Sequence, residues 1–549
     1  MNTFFNHRWA PMFVLAGVAF MLYAQTLAFG YVNLDEEELI IQRQSFLADA
    51  GNLPSLFVHD ASYPNAISPF YRPFLTVTFM SDAVLGAGTK VFSHLTNILL
   101  HVAAVLLVWQ FLLAWGIPRG KSFVGAMFFA IHPVLAQAVA WVPGRNDVLL
   151  TIFILGAAIL FLHFIERRLW WMYAGHLGLF CMALLTKETA VILPVLLFFL
   201  LRSKRERIIF SVPWATLIAL WYFAQGYAVT NVASLPLSAM FSQIWHRLEG
   251  ILVYFGKAFV PVNLSVIPSM ADSSLWYGVI VLTVLGMIVF LARRNIRRFP
   301  ISWGIAWTLL FLIPSFVSYD HPTRFAFFEH RLYLPLVGML LVVVGLPWEQ
   351  WTKRYTRWWY AGITLVASTF IVLNIFHTRS FREQIPFWEQ AVRSSPSLPR
   401  AHNSLGIAYT ATNRYDDAFR EYQIAYHLNP QDYLINTSLG VAYIRRREFG
   451  LAEKHLTKAI AIRPNHAVAH NDLAFLYAVQ NRMPEAEKEW LLALEINPWY
   501  ALSHKGLAVY YAQIGNTDKF LYHVEQLITL KATIPPELLK LREQILKKP

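Results

Sequence analysis

The chain of 549 residues is 56% hydrophobic and only 14% charged, which is too apolar for an ordinary soluble protein and indicates a polytopic membrane protein. The formal net charge of +13 does not indicate nucleic-acid binding, because the basic clusters stand beside apolar spans: RSKRER (202–207), ARRNIRR (292–298) and TKRYTR (352–357). The single cysteine, Cys181, excludes an intramolecular disulfide.

Up to about residue 378 the sequence alternates apolar runs with short polar links. The first run is near full spanning length and lacks a convincing cleavage site, so it predicts an uncleaved helix. Two further stretches, 72–89 and 238–260, are amphipathic and are interpreted as interfacial rather than spanning. We predict eleven membrane spans: 11–29, 92–115, 122–142, 147–165, 170–186, 188–201, 208–228, 275–292, 301–318, 331–347 and 358–377.

The distribution of basic residues predicts the orientation of these spans. With the N-terminus in the cytoplasm, the three basic clusters fall in cytoplasmic links, as the positive-inside rule requires. Residues 30–91, 229–274 and 319–330, and everything after 377, then face outward. This topology and the lack of disulfides agree with a bacterial inner membrane, with a periplasmic C-terminal region.

From about residue 379 the composition changes to a soluble helical pattern with a repeat. Prolines recur every 34 residues, and leucine, tyrosine and alanine positions follow in register. This period is that of the tetratricopeptide repeat (TPR), an α-solenoid unit. We predict an all-α protein with two domains, 1–378 and 379–549, the second holding three full repeats, a half repeat (387–396) and a degenerate capping repeat from about 499.

Polar residues gather at the predicted outward ends of the spans. Four acids follow the first span in YVNLDEEELI (31–40), and cations with further acids occupy three outward turns. Charged groups among apolar helices are costly and therefore indicate function. Carboxylates beside cations suit an anionic phosphate ligand next to a proton acceptor. The residues are Asp35, Glu36, Arg145, Asn146, Asp147, Lys187, Glu188, His321, Arg324, Glu329, His330, Arg331 and Tyr333.

Five segments in this order, together with the repeats, carry a family resemblance: YVNLDEEELI, YRPFLTVTF…HLTNILLHVAAVLLV, FAIHPVLAQAVAWVPGRNDVLL, LLTKETAVILPVLLF and EHRLYLPLVGM. The chain resembles the transmembrane, TPR-containing O-mannosyltransferases and their bacterial relatives, within the GT-C glycosyltransferase superfamily. The resemblance implies a polyprenyl-phosphate-linked sugar donor, a protein hydroxyl acceptor held by the TPR groove, and inversion at the sugar.

The resemblance also implies roles for individual residues. The family's acidic pair matches Asp35-Glu36, of which one carboxylate acts as general base, and Glu36-Glu37 is the alternative register. Arg145, Lys187 and Arg331 match the cations that face the leaving phosphate. Asp147, Glu188, Glu329, His330 and Tyr333 complete the predicted phosphate-binding site, with Glu188, Glu329 and His330 orienting their neighbours.

Several alternatives stand beside this interpretation. Relatives differ in metal dependence, so a divalent cation held by the acids is open, whereas no His/Cys cluster has zinc spacing. GAGTK (86–90) lacks the flanking spacing of a phosphate loop, which disfavours a nucleotide-sugar donor. The competing functions are transfer to a glycan or lipid, transfer of a whole glycan to protein, and a non-catalytic membrane-anchored TPR scaffold.

Overall fold

A computed structural model describes residues 9–64, 68–229, 236–293, 298–317, 327–348, 356–530 and 532–547. The predicted site residues His321 and Arg324 lie outside these described residues. Within them the protein is helical and contains no strand. The chain divides into two compact units, Met1–Ser395 and Pro396–Pro549.

The first unit is built from long apolar helices with short helical turns between them. Its 3-10 helices are Ala24–Ala28, Ala50–Phe57, Pro133–Leu135, Val142–Gly144, Glu188–Val191, Ile313–Phe316 and Glu329–Leu332, and Glu37–Ile41 is a π-helix. Its α-helices are Ala10–Tyr23, Gln44–Leu47, Pro73–Leu85, Lys90–Ala114, Arg119–Ile131, Ala136–Ala140, Arg145–Arg167, Trp170–Leu184, Ile192–Phe198, Lys204–Ala228, Leu237–His246, Gly250–Phe259, Trp276–Ala292, Arg298–Leu312, Pro335–Gly345, Thr356–Arg379 and Gln384–Ser394.

Helices occupy all eleven predicted spans, but they differ in length. Six helices of the described chain are long and apolar enough to cross a membrane, or seven if Arg119–Ile131 and Pro133–Ala140, bent by 50°, form one broken span. Pro133 explains that bend, because proline cannot continue the helix before it. The other four helices have only 15, 7, 17 and 11 residues. A helix needs about 20 residues to cross the membrane, so the number of eleven membrane spans stays a prediction.

The two stretches interpreted as interfacial form short helices. Residues 72–89 contain the 13-residue helix Pro73–Leu85, and residues 238–260 contain two helices of 10 residues each. At 1.5 Å per residue each is about 20 Å long or less, shorter than the roughly 30 Å hydrocarbon core of a bilayer.

The second unit consists of four antiparallel helix pairs and a final helix. The sequence predicted a degenerate fourth repeat, whereas the structure has a complete pair there. The helices are Pro399–Ala411, Tyr415–Leu428, Tyr433–Arg445, Phe449–Ile462, Ala467–Val479, Met483–Ile496, Ala501–Gln513, Thr517–Thr529 and Pro536–Leu546.

The repeating residues of the second unit explain how the pairs close. A Cβ at Gly406 would lie 2.4 Å from the ring of Tyr422, so the paired helices require a small residue at this crossing. The alanines at the equivalent positions of later repeats, Ala474 and Ala508, are fully buried. The imidazole Nε2 of His402 lies 3.1 Å from the carbonyl oxygen of Pro396. Helix packing in this unit therefore follows the 34-residue pattern of the sequence.

The boundary between the units lies further along the chain than the sequence indicated. We predicted it at 378/379, but the contacts place helix Gln384–Ser394 in the first unit. Ser394 Oγ lies 2.6 Å from Ser265 Oγ, and the buried Ser395 hydroxyl donates to Ile267. These hydrogen bonds are made within the first unit, which explains why that unit extends to Ser395.

Candidate functional site

The acidic segment after the first helix forms a turn in which two adjacent carboxylates differ in their exposure to solvent. Asn33 adopts a left-handed conformation with φ of 53°. This bend brings the Glu36 carboxylate back to the amides of Leu34, at 3.0 Å, and Val32, at 3.5 Å. Glu36 is only 1% exposed, whereas Asp35 is exposed. The adjacent acids therefore have different environments.

Burial raises the pKa of Glu36 to about 7. The desolvated carboxylate loses hydration, and the charge of Asp35 raises the pKa further, while the backbone amides of Glu36 itself and of Leu34 and the nearby Trp141 indole act in the opposite direction. Glu36 therefore titrates near neutral pH.

We expect Glu36 to make stability depend on pH. Between the ordinary glutamate pKa of 4.5 and about 7, the folded protein keeps a proton that the unfolded chain releases, so stability falls as pH rises through this window. Glu36→Gln removes this titration and should stabilise the protein relative to wild type by about 2–3 kcal/mol at pH 8 but not at pH 4. Thermal unfolding in detergent at both pH values measures the difference. Glu38→Gln, at an exposed neighbour, serves as the control, and an equal gain at both pH values would contradict the prediction.

Trp141 connects this turn to the buried polar residues of the helices. It lies between helix Ala136–Ala140 and the 3-10 turn Val142–Gly144. This turn is tight, since a Cβ on Gly144 would lie 2.8 Å from the carbonyl oxygen of Gln137. The Trp141 and His330 rings are 5.5 Å apart. The acidic turn and His330 therefore share Trp141 as a neighbour.

Asp147, Lys187 and His330 come together next to Trp141. Asp147 lies in the first turn of helix Arg145–Arg167, where a carboxylate is favoured by the helix dipole. Lys187 Nζ lies 2.8 Å from Asp147 Oδ1, and His330 Nε2 lies 3.9 Å from Asp147 Oδ2, too far for a hydrogen bond. His330 Nδ1 is buried and has no hydrogen-bond partner among the described residues. His330 thus retains unused hydrogen-bonding capacity.

Arg72 pairs with Glu188 at the edge of the same cluster. Its Nη2 lies 2.9 Å and 3.2 Å from the two oxygens of Glu188, and its guanidinium lies over the Phe70 ring. The Glu188 side chain is 36% exposed and that of Arg72 13%, so this pair is the more accessible part of the cluster. The sequence placed Arg72 only in an amphipathic stretch and did not predict its role.

Three cations surround His330. The charges of Lys187, Arg331 and Arg72 all act on its imidazole. The carboxylates of Asp147 and Glu188 pair with Lys187 and Arg72, and the charge of Glu329 acts on the same imidazole with the opposite sign. Cations on partly exposed side chains, such as Arg72, can bind an anion.

Other predicted site residues make internal contacts. Arg331 donates to the carbonyl oxygen of Ser315 at 2.6 Å and lies over the Phe328 ring. The fully buried Tyr333 hydroxyl lies 2.6 Å from Nδ1 of His101. Tyr333 is therefore part of the helix packing rather than of the accessible cluster.

Arg145 is fully buried, and each of its three guanidinium nitrogens has a partner. Nε donates to Asn97 at 2.6 Å, Nη1 to Thr78 at 3.2 Å and Nη2 to the Ser93 carbonyl at 2.8 Å, with Nη2 also 2.7 Å from Asp82 Oδ2. Predicted as a phosphate ligand, Arg145 instead holds three segments together in this structure.

Glu329 is also fully buried and lies among polar and charged neighbours. Its Oε1 accepts from Lys257 at 2.8 Å and from the Ser265 amide at 2.7 Å, and its Oε2 lies 3.0 Å from His377 Nε2. Glu329 thus contacts Lys257, Ser265 and His377, and its role in orienting neighbours stays a prediction. The structure also contains no group of three or more potential metal ligands among the described residues.

Two protein-family models match parts of the chain. Residues 76–228 match the family described as dolichyl-phosphate-mannose-protein mannosyltransferase, and residues 386–433 and 437–501 match the tetratricopeptide repeat. The chain is thus an all-helical protein with apolar helices, a mannosyltransferase-type segment and TPR repeats. The matched segment includes Asp147, Lys187 and Glu188, but it begins after the acidic turn.

Two similar proteins are both described as protein O-mannosyl-transferases. The chain is 24% identical over 394 residues to protein O-mannosyl-transferase F38B6.6 of Caenorhabditis elegans, covering 66% of this chain and 54% of that protein. It is 32% identical over 166 residues to human protein O-mannosyl-transferase TMTC4, covering 27% of this chain and 22% of that protein. The chain therefore spans about half the length of the nematode relative and less of the human one.

Solved structures resemble only part of the chain. MamA covers 27% of this chain and 86% of its own, with 18% identity and a TM-score of 0.24. YrrB, a TPR protein, covers 29% of this chain and 81% of its own, with 20% identity and a TM-score of 0.24.

Proposed function

We propose that the protein transfers a sugar from a polyprenyl-phosphate donor to serine or threonine hydroxyls of an acceptor protein. The observation that carries the proposal is the contact series from the acidic turn through Trp141 to the cation-rich cluster around His330. The names of the matched family and of the relatives support a mannosyl donor and a protein acceptor. Mannose is accordingly the first sugar to test.

The cation-rich cluster provides the phosphate side of the reaction. Arg72 and Lys187 would face the donor phosphate, and their charge stabilises the phosphate as it leaves the anomeric carbon as an anion. Arg72 is suited to this role because its partner Glu188 is the most exposed acid of the cluster. No group has to protonate the phosphate, since it is already a stable anion when it leaves.

The acidic turn provides the proton acceptor. We assign Asp35 as the general base, because it is exposed while Glu36 is buried and bonded to the backbone amides of the turn. The acceptor hydroxyl gives its proton to Asp35 as its oxygen attacks the anomeric carbon, and the bond from that carbon to the phosphate breaks. Glu36 would position this turn.

The remaining parts of the proposal concern location and partners. Six or seven candidate spans agree with a multi-pass protein surrounded by membrane lipids, and we place it in a bacterial inner membrane with its N-terminus in the cytoplasm. The TPR unit would bind the acceptor protein on the outer face. A divalent cation at the acids is a further element to test, by adding a chelator to the assay.

The test is transfer by the purified full-length protein from a panel of polyprenyl-phosphate sugars, with product peptides identified by mass spectrometry. Arg72→Gln should raise the KM for the donor by about 10–100-fold, the value of a lost charge-assisted hydrogen bond. Arg168→Gln is the matched control, because Arg168 also pairs with a glutamate, Glu206, at an exposed position.

Three outcomes would count against the proposal or a part of it. Failure of the wild-type protein to transfer sugar from any lipid-phosphate donor would refute it. Sugar found on lipid or glycan rather than on peptide would assign a different acceptor. An unchanged donor KM in Arg72→Gln would remove Arg72 from the phosphate site.

A further inference from the structure

Residues 264–269, here called the clasp loop, form an irregular segment inside the first unit. Leu264 through Pro268 are buried, and Ser269 is half-buried. Irregular segments normally lie on the surface, because their backbone polar groups need partners. A buried one is stable only if its neighbours supply those partners, and the clasp loop receives them from two directions.

The first direction is the candidate site. The Gln137 side chain donates to the carbonyl oxygen of Val266 at 2.9 Å and accepts from the amide of His330 at 3.2 Å. The Ser265 amide donates to Glu329 at 2.7 Å. The clasp loop is therefore hydrogen-bonded directly to Glu329, and the Gln137 side chain connects it to the backbone amide of His330.

The second direction is the helix Gln384–Ser394 and the residue after it. Gln390 donates to the carbonyl oxygen of Leu264 at 3.2 Å, and the Ser394 and Ser265 hydroxyls are 2.6 Å apart. Ser395 donates to the carbonyl oxygen of Ile267 at 2.8 Å and accepts from the amide of Ser269 at 3.1 Å. These contacts involve loop atoms other than the Ser265 amide and the Val266 carbonyl oxygen, to which the site residues are bonded.

We propose that Gln390, Ser394 and Ser395 are positioning residues of the transfer site. They touch neither donor nor acceptor, but they fix the clasp loop, which in turn holds Glu329 and, through Gln137, His330. Their catalytic consequence rests on the proposed function, whereas their effect on the ordering of His330 does not. The last helix of the first unit is thus a part of the site and not only a connection to the repeats.

Hydrogen exchange of the full-length protein without substrate tests the structural part. Ser394→Ala/Ser395→Ala should increase exchange about tenfold at residues 264–269 and also at 329–333, since the lost hydrogen bonds hold the loop closed. Ser302→Ala, which removes an exposed hydroxyl bonded to Phe299, is the matched control and should leave both segments unchanged. Increased exchange at 264–269 with none at 329–333 would overturn the proposal.

A double-mutant cycle tests the catalytic part. Gln137→Leu and Ser395→Ala act on opposite sides of the loop, and each should lower kcat by about tenfold, as a small misplacement of site groups does. The double variant should also lose about tenfold rather than a hundredfold, because both changes release the same loop. A hundredfold loss would mean that the two residues act independently and would overturn the proposal. Wild-type protein without transfer activity would refute the proposed function and leave the exchange result as the test of this inference.

Discussion

Asp35→Asn is expected to lower the rate of sugar transfer by about 10²- to 10⁴-fold, the usual contribution of a general base. The substitution keeps the size and polarity of the exposed side chain, so the protein should still insert and unfold at the wild-type temperature. The measurement is kcat with a saturating lipid donor and a peptide acceptor, together with thermal unfolding in detergent.

The control for Asp35→Asn is Glu38→Gln, which removes an exposed carboxylate three positions further on. The Glu38→Gln variant should retain transfer activity, because Glu38 takes no part in the proposed proton transfer. Wild-type transfer by Asp35→Asn would remove this residue as the base. If Glu36→Gln then lost activity instead, the buried acid of the pair would take its place.

Arg145→Met is expected to destabilise the protein by about 3–5 kcal/mol, because it leaves the buried carboxylate of Asp82 without its cation. Neither side chain of the pair is more than 4% exposed. The loss of the Arg145 hydrogen bonds to Asn97, Thr78 and Ser93 adds to the effect. Denaturant unfolding in detergent measures the change in the free energy of unfolding.

The paired variant Arg145→Met/Asp82→Leu tests whether the loss of stability comes from the Asp82 carboxylate that is left without a cation. Replacing both members of a buried ion pair with apolar side chains is often close to neutral, so the second substitution should recover much of the lost stability. A single variant with normal stability but a raised donor KM would instead show that Arg145 contacts the phosphate, as the sequence first indicated.

The sequence predicted the helical repeats well because each repeat requires particular residues at particular positions. Gly406 and the alanines of the 34-residue period pack where paired helices meet, so their spacing records the contact directly. The fourth repeat, predicted as degenerate, carries fewer of these residues. Helices Ala501–Gln513 and Thr517–Thr529 nevertheless form a complete pair there.

The candidate site was predicted less completely because its contacts join distant parts of the chain. Asp147 and Lys187 were both identified from outward turns, and they do meet. Arg145 was identified in the same way, yet its partners lie on helices that no local pattern connects to it. The clasp loop carries no sequence motif, and the positioning role that we propose for its contacts depends on its burial and hydrogen bonds.

The missed partners had one detectable signal. Arg72, Asp82 and Lys257 lie in the two amphipathic stretches, 72–89 and 238–260, that the sequence predicts to be interfacial. In the structure each forms an ion pair, with Glu188, Arg145 and Glu329 respectively. A charge in an apolar stretch requires a counter-ion. Pairing each such charge with an opposite charge elsewhere in the sequence therefore limits the number of possible ion-pair partners.

These ion pairs also constrain how the protein is assembled during synthesis. Asp82 leaves the ribosome before Arg145, and Lys257 before Glu329, so each first member must wait for its partner. An unpaired charge is costly in hydrocarbon, so we expect helices Pro73–Leu85 and Gly250–Phe259 to stay near water until the later segments arrive. Folding of the membrane unit is therefore completed only after its C-terminal portion has been translated.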